Sequence, residues 1–149
     1  GRTEAGDVQV MSAGSGVRHA EYNLENDPTT IFQIWIMPNR KGGSPSWGAK
    51  PFPKGDRSGT WQVLASGFAE DADALPIQTD ARVLGATIRA GESLTYEVGT
   101  TRHAYMVPAT GAVEIGGQRA NARDGVAIGE GPITITAIED AEIVLVDSE

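Results

Sequence analysis

The stretch GDVQVMSAGSGVRHAEYN, residues 6–23, combines a strand pattern, a glycine turn and two side chains that bind metals. Residues 7–11 alternate in character, which is typical of a β-strand because strand side chains repeat every two residues. After the glycines, residues 16–22 alternate again, so His19 and Glu21 are expected on one face of a second strand. An imidazole and a carboxylate in this arrangement suit iron, nickel, zinc or manganese. The stretch therefore resembles half of a metal site, and the alternative from the residues alone is a hydrogen-bonded His19–Glu21 pair on a polar strand face.

The next segment, residues 30–38, reads TIFQIWIMP and is apolar on both faces around Gln33. Such a run predicts a central, well-covered strand with Phe32, Trp35 and Ile36 in the core. The segment that follows, residues 39–59, is rich in glycine, proline and basic residues and lacks periodicity. We interpret it as an interdomain linker that partly packs through its aromatic residues, Trp47 and Phe52.

The remainder of the chain shows short alternating runs separated by turn residues, which is the pattern of a small β-barrel or β-sandwich. The Gly-Gly pair within EIGGQR, residues 114–119, predicts a tight hairpin, because glycine supplies the positive φ angles of a two-residue turn. The predicted strands occupy residues 61–66, 81–88, 93–98, 103–108, 111–117, 125–129, 133–138 and 142–147. The fold class is therefore expected to be all-β.

The overall composition excludes several classes of function. The formal net charge of −8 opposes direct binding to nucleic acid or to anionic lipid. The chain has no cysteine, which excludes thiolate ligands, cysteine nucleophiles and disulfides and fits a cytoplasmic location. It also has no apolar run of about 20 residues, so no transmembrane helix is expected.

The stretch also resembles the second sequence motif of the cupins. That motif runs Gly, five residues, Pro-x-Gly, two residues, His, three residues, Asn. Here Gly6 is followed after five residues by Ser12, Ala13 and Gly14, and His19 precedes Asn23 by three residues. Serine replaces the proline, and the gap before the histidine is two residues longer than the pattern.

Together with FQIWIMP, residues 32–38, the stretch resembles the pirin family of two-domain cupins. The resemblance is strong over residues 6–38 and rests mainly on pattern over residues 60–149. It implies a cupin-type double-stranded β-helix, or jelly-roll barrel, with part of an N-terminal cupin at 1–38, a linker at 39–59 and a complete, metal-free C-terminal cupin at 60–149.

In pirins, the His-x-Glu of this segment supplies two of four metal ligands, which correspond here to His19 and Glu21. The other two come from an upstream His-x-His pair. The only histidines of this chain are His19 and His103, so the pair is absent. The resemblance thus implies that the polypeptide begins inside the first cupin, after the motif with the two histidines.

The C-terminal region keeps the frame of the first cupin motif without its ligands. When the motif is aligned from Gly91 to Gly111, its ligand positions fall on Glu97, Gly99 and Ala104. No histidine follows His103, so the second motif is incomplete as well. The expected C-terminal cupin therefore binds no metal of its own.

The family resemblance implies a dioxygenase of the flavonol (quercetin) 2,3-dioxygenase type in the complete protein, with this chain inactive alone. The expected cofactor is a divalent metal, foremost Fe(II), with Ni, Zn, Mn or Co as alternatives. Glu21 is also the expected catalytic base for the hydroxyl proton of the substrate. The alternative is a non-enzymatic, metal-dependent regulator that binds transcription-related proteins. The unpaired strands of the first barrel would also allow a strand-swapped homodimer.

Overall fold

The computed structural model describes residues 2–149, and β-strands dominate it. The strands are β1 (Asp7–Ser12), β2 (Ser46–Pro51), β3 (Gln62–Ser66), β4 (Leu75–Pro76), β5 (Ala81–Ile88), β6 (Ser93–Val98), β7 (His103–Thr110), β8 (Ala112–Ile115), β9 (Gln118–Asn121), β10 (Val126–Ile128), β11 (Gly131–Ala137) and β12 (Ala141–Ser148). One 3₁₀ helix spans Lys54–Arg57. The all-β fold class is confirmed.

Two sheets form a sandwich from β3 to β12. The six-stranded sheet has the order β10-β7-β12-β5-β3-β4, and the four-stranded sheet has the order β6-β11-β8-β9. All pairs are antiparallel except β3 with β4. The apolar side chains of alternate positions fill the space between the sheets, and the most deeply buried are Met106, Val113, Ile135, Ile143 and Leu145.

A third, two-stranded sheet lies on the outer face of the six-stranded sheet. Its strands β1 and β2 are antiparallel, from the pair Asp7–Pro51 to the pair Ser12–Ser46. Val8 and Val10 of β1 pack onto a second apolar cluster centred on Phe52, Leu64 and Val83. This packing fixes one face of the β1–β2 sheet; the other face, here called the free face, points away from the six-stranded sheet.

Residues 13–45 form a long excursion between β1 and β2. The two ends of this segment are joined by a hydrogen bond from the Ser15 N–H to the carbonyl of Gly43, at 3.0 Å. Gly14 has φ of +52°, and a side chain there would lie 2.5 Å from the Gly43 oxygen. Only glycine therefore fits at this crossing.

The strands predicted at residues 16–22 and 30–38 do not form. Phe32 and Trp35 are exposed instead of buried, Trp35 to 90%, and only Ile36 packs against the second apolar cluster. The physical reason is that a strand needs a neighbour for its backbone groups. Within residues 2–149, the backbone of residues 17–38 has no hydrogen bond to another backbone group.

The segment predicted as a linker contains regular structure. Residues 46–51 form β2, and the 3₁₀ helix follows. Phe52 is buried as expected, whereas Trp47 is 53% exposed. The division into an N-terminal part, a linker and a C-terminal cupin remains a prediction.

The predicted Gly-Gly hairpin is confirmed between β8 and β9. Gly116 and Gly117 have φ of +58° and +75°, which the two central residues of a type I′ turn require.

In the part of the chain that the structure describes, no helix has the length and apolar character that a membrane crossing requires.

A network of charged and polar side chains occupies one end of the sandwich. Asp147 is 2% exposed and accepts hydrogen bonds from Tyr96 Oη and from Arg102 Nε, the latter at 2.7 Å. Burial, followed by the hydrogen bond to the Asp147 carboxylate, raises the pKa of the Tyr96 phenol. The phenol therefore remains a proton donor to Asp147.

Candidate metal centre

The free face of the β1–β2 sheet carries the polar side chains that surround the predicted site. Alternation along β1 directs Val8 and Val10 to the apolar cluster, so Gln9 and Met11 lie on the opposite face. Trp47 of β2 is directly across from Met11 and shares that face. The excursion 13–45 covers this face, so that Glu21 and Gln33 both reach it.

Glu21 is the residue on which these segments converge. Gln9 Nε2 donates to Glu21 Oε1 at 2.6 Å, and Gln33 Nε2 donates to Glu21 Oε2 at 3.2 Å. Trp47 Nε1 in turn donates to Gln9 Oε1 at 3.3 Å. Each oxygen of the carboxylate thus accepts one amide hydrogen bond and keeps lone pairs for a further partner.

His19 lies two residues before Glu21 in the same segment and is exposed. The segment is bounded by two local turns. Gly16 N–H donates to the carbonyl of Ala13 at 2.7 Å, and Asn23 Nδ2 donates to the carbonyl of Asp27 at 2.7 Å. The backbone between these turns belongs to no strand or helix.

The donor types of this pair fit a divalent transition metal, because neutral imidazole and carboxylate are both ordinary ligands of such ions. The number of donors does not complete a coordination sphere. Among residues 2–149, no group of three or more histidine, cysteine, aspartate or glutamate side chains is arranged to hold a metal. His19 and Glu21 would therefore hold a metal together with ligands from elsewhere.

The sequence interpretation did not identify Gln9, Gln33 or Trp47 as part of the site. One signal was present, since Gln9 is a long polar residue between two valines of an alternating strand. The second histidine of the chain, His103, is exposed at the start of β7.

Comparisons with known proteins show the family to which the chain belongs. Residues 63–148 match the family described as "Quercetinase C-terminal cupin domain", and residues 1–36 match the family described as "Pirin". The chain belongs to the pirin family. This confirms the resemblance and the cupin fold that were expected from the sequence.

Individual relatives also match the chain over nearly all of its length. A pirin-like protein of Caulobacter vibrioides is 70% identical over 99% of this chain and 64% of its own length. The quercetin 2,3-dioxygenase of Escherichia coli K12 is 33% identical over 96% of this chain and 61% of its own length. The chain thus spans a little under two thirds of the length of the curated relatives that it matches.

A solved structure of the bacterial pirin YhhW from Escherichia coli, in complex with nickel(II), superimposes with a TM-score of 0.85. The sequence identity is 31%, and the match covers 98% of this chain and 62% of that protein. The described fold, including the excursion between β1 and β2, is therefore similar to that of a pirin that binds a divalent metal.

Proposed function

We propose that this chain forms part of a pirin-type dioxygenase that acts on flavonol-like substrates such as quercetin. In this proposal His19 and Glu21 supply two ligands of a divalent metal, foremost Fe(II), and the remaining ligands come from outside the described residues. The chain alone is then inactive as a dioxygenase.

The observation that carries the proposal is the convergence of Gln9 and Gln33 on Glu21. An exposed carboxylate in an irregular segment normally rotates freely, because ordering it costs side-chain entropy. Here both oxygens are bound by amide donors of separate segments, at 2.6 and 3.2 Å. This arrangement is typical of ligands whose orientation matters for a bound ion.

Each residue has a distinct role in the proposed reaction. The metal, when bound, supplies Lewis-acid and redox chemistry for the combination of substrate and dioxygen. Glu21 accepts the hydroxyl proton of the flavonol as a general base, because a metal-ligating carboxylate lies within reach of a substrate at the same ion. His19 fixes the position of the ion relative to Glu21.

The experiment compares quercetin turnover by two proteins. One is the 149-residue chain. The other is a chimera, in which this chain is joined to the part of the Caulobacter relative that it does not match. We expect turnover by the metal-loaded chimera and none by the chain alone. In the chimera, His19→Ala and Glu21→Ala each abolish turnover. Full activity of the chimera without both side chains would contradict the proposal.

A second candidate function is that of a metal-dependent regulator that binds another protein. The observation that favours it is an exposed apolar strip over residues 31–37, formed by Ile31, Phe32, Ile34, Trp35 and Met37. Contiguous exposed apolar surface commonly marks a protein interaction site. The strip would accept either a transcription-related partner or an extended strand of a second copy.

The occupants of this strip are distinguished by sedimentation measurements at several protein concentrations. Self-association that is lost on Trp35→Ser favours a homodimer, including a strand-swapped one. A monomer that binds a partner only in the presence of metal, without quercetin turnover by the chimera, favours the regulator. A metal-loaded chimera that turns over quercetin and needs no protein partner favours the dioxygenase.

A further inference from the structure

We infer that Gln9, held in place by Trp47, is a positioning residue that fixes the orientation of the Glu21 carboxylate for a bound metal ion. The inference rests on the proposed metal-binding role of His19 and Glu21 and deepens it. It assigns a task to two side chains on the free face of the β1–β2 sheet.

The first step of the argument concerns the hydrogen bond between Gln9 and Glu21. Its length of 2.6 Å is just below the ordinary range of about 2.7–3.2 Å for N–H···O bonds, and hydrogen bonds to an ionised acceptor are shorter and stronger than neutral ones. The bond from Gln33 to the other oxygen is longer, at 3.2 Å. Gln9 is therefore the dominant restraint on the plane of the carboxylate.

The second step concerns the support of Gln9 itself. A glutamine side chain has three rotatable bonds, so it orients another group only if it is itself held. Gln9 is half-buried on β1, whose ladder with β2 fixes its backbone. Trp47 Nε1 binds Gln9 Oε1 at 3.3 Å, which directs Nε2 of the same amide toward Glu21. The tryptophan thus determines which end of the amide meets the carboxylate.

The third step concerns the origin of the two segments. Gln9 and Trp47 lie on paired strands anchored by Val8 and Val10 to the second apolar cluster, whereas Glu21 lies in an irregular segment. The hydrogen bond from Gln9 therefore holds the Glu21 side chain in place against a well-anchored sheet. A ligand held in this way needs less ordering when the ion binds.

The experiment measures Ni(II) binding to the 149-residue chain by nuclear magnetic resonance titration, which detects weak binding. The variants are Gln9→Leu, Trp47→Phe and His19→Ala. Gln118→Leu is the matched control, because Gln118 is an exposed glutamine of β9 in the four-stranded sheet, which does not pair with β1 or β2. We expect Gln9→Leu to weaken Ni(II) binding about 10–100-fold. Trp47→Phe weakens it less, and Gln118→Leu leaves it unchanged.

A second readout uses no metal. In the wild-type chain, the side-chain amide protons of Gln9 should be protected from exchange and shifted from their free values, and Trp47→Phe should reduce both effects. A merely structural role predicts a lower unfolding temperature for Gln9→Leu with unchanged Ni(II) affinity, and that result would overturn the inference. Side-chain amide protons of Gln9 with the chemical shifts and exchange rates of an unbound glutamine would also overturn it.

The two proposals fail in different ways. If His19→Ala abolishes Ni(II) binding and Gln9→Leu leaves it within twofold of wild type, the positioning role is wrong and the metal site stands. If His19→Ala has no effect on Ni(II) binding, the metal site itself is wrong, and the positioning role is overturned with it.

Discussion

Arg57, at the end of the 3₁₀ helix, is a buried cation whose partner, Glu142, lies on β12. Its Nη2 atom is 2.7 Å from Glu142 Oε1, and Lys54 Nζ is 2.6 Å from the other oxygen of Glu142. The Arg57 side chain lies over Gly85, where a Cβ atom would be 2.7 Å from Nη1. Glu142 therefore neutralises a charge that the fold has taken out of water.

Removal of Glu142 should leave that charge without compensation. We expect Glu142→Ala to lower the free energy of unfolding by about 3–5 kcal/mol, measured by urea denaturation. The matched control is Glu139→Ala, because Glu139 pairs with Arg119 in the solvent-exposed bridge of 3.2 Å. That variant should cost less than about 1 kcal/mol. Equal losses for the two variants would contradict the account of Arg57.

At the scale of the residue, the sequence predicts His19 and Glu21 as metal ligands from the spacing of a motif, and this role stays a prediction. Gln9, Gln33 and Trp47 could not be predicted, because they meet Glu21 only through the pairing of β1 with β2 and the return of the excursion 13–45. Contacts between segments far apart in sequence leave little local signal.

At the scale of the element, the turn of the β8–β9 hairpin requires a backbone with positive φ. Gly116 has φ of +58°, and a Cβ atom added there would have no neighbouring atom within 4 Å, so strain rather than space limits substitution. Gly116→Val should destabilise the protein by about 1–2 kcal/mol. Gly116→Asn should be neutral, because Asn-Gly is a favoured type I′ pair. Thermal unfolding of both variants tests this, and equal loss from asparagine and valine would contradict it.

The success of strand prediction depended on where each partner strand lies. The predicted strands include β3, β5 to β8 and β10 to β12, and the neighbours of these strands belong to the same sandwich. The apolar run at residues 30–38 has an equally strong pattern and remains unpaired. A pattern of apolar residues indicates that a segment is suited to a sheet. The strand forms only where a neighbouring strand pairs with its backbone groups. Conversely, β2 contains glycine and proline and forms because β1 pairs with it.

At the scale of the whole molecule, the acidic limit of stability should depend on Asp71. Ser66 Oγ and Arg82 Nε both donate to Asp71 Oδ2 at 2.6 Å. Burial acts to raise the pKa of Asp71, but the hydrogen bonds from Ser66 and Arg82 and the charge of Arg82 outweigh it, so this pKa lies below its ordinary value.

The direction of the pH dependence follows from this lowered pKa. Above the ordinary value of 3.8, the carboxyl is ionised in both the folded and the unfolded chain, and its full stabilisation is present. As the pH falls below that value, the unfolded chain binds the proton first, and the stabilisation is lost. Urea denaturation between about pH 5 and about pH 3 should therefore show a smaller acid-induced loss for Asp71→Asn than for wild type. Asp73→Asn, an exposed neighbour, should behave like wild type. An unchanged acid slope in Asp71→Asn would contradict the assignment.

The most direct test of the central claim is the metal content per chain, measured by elemental mass spectrometry after dialysis. The chimera completed with the unmatched part of the Caulobacter relative should hold about one divalent metal ion per chain. The same chimera with His19→Ala and Glu21→Ala should hold almost none, and the 149-residue chain alone should hold well below one. A metal content of the chimera that is unchanged without both side chains would contradict the claim that His19 and Glu21 form half of the metal centre.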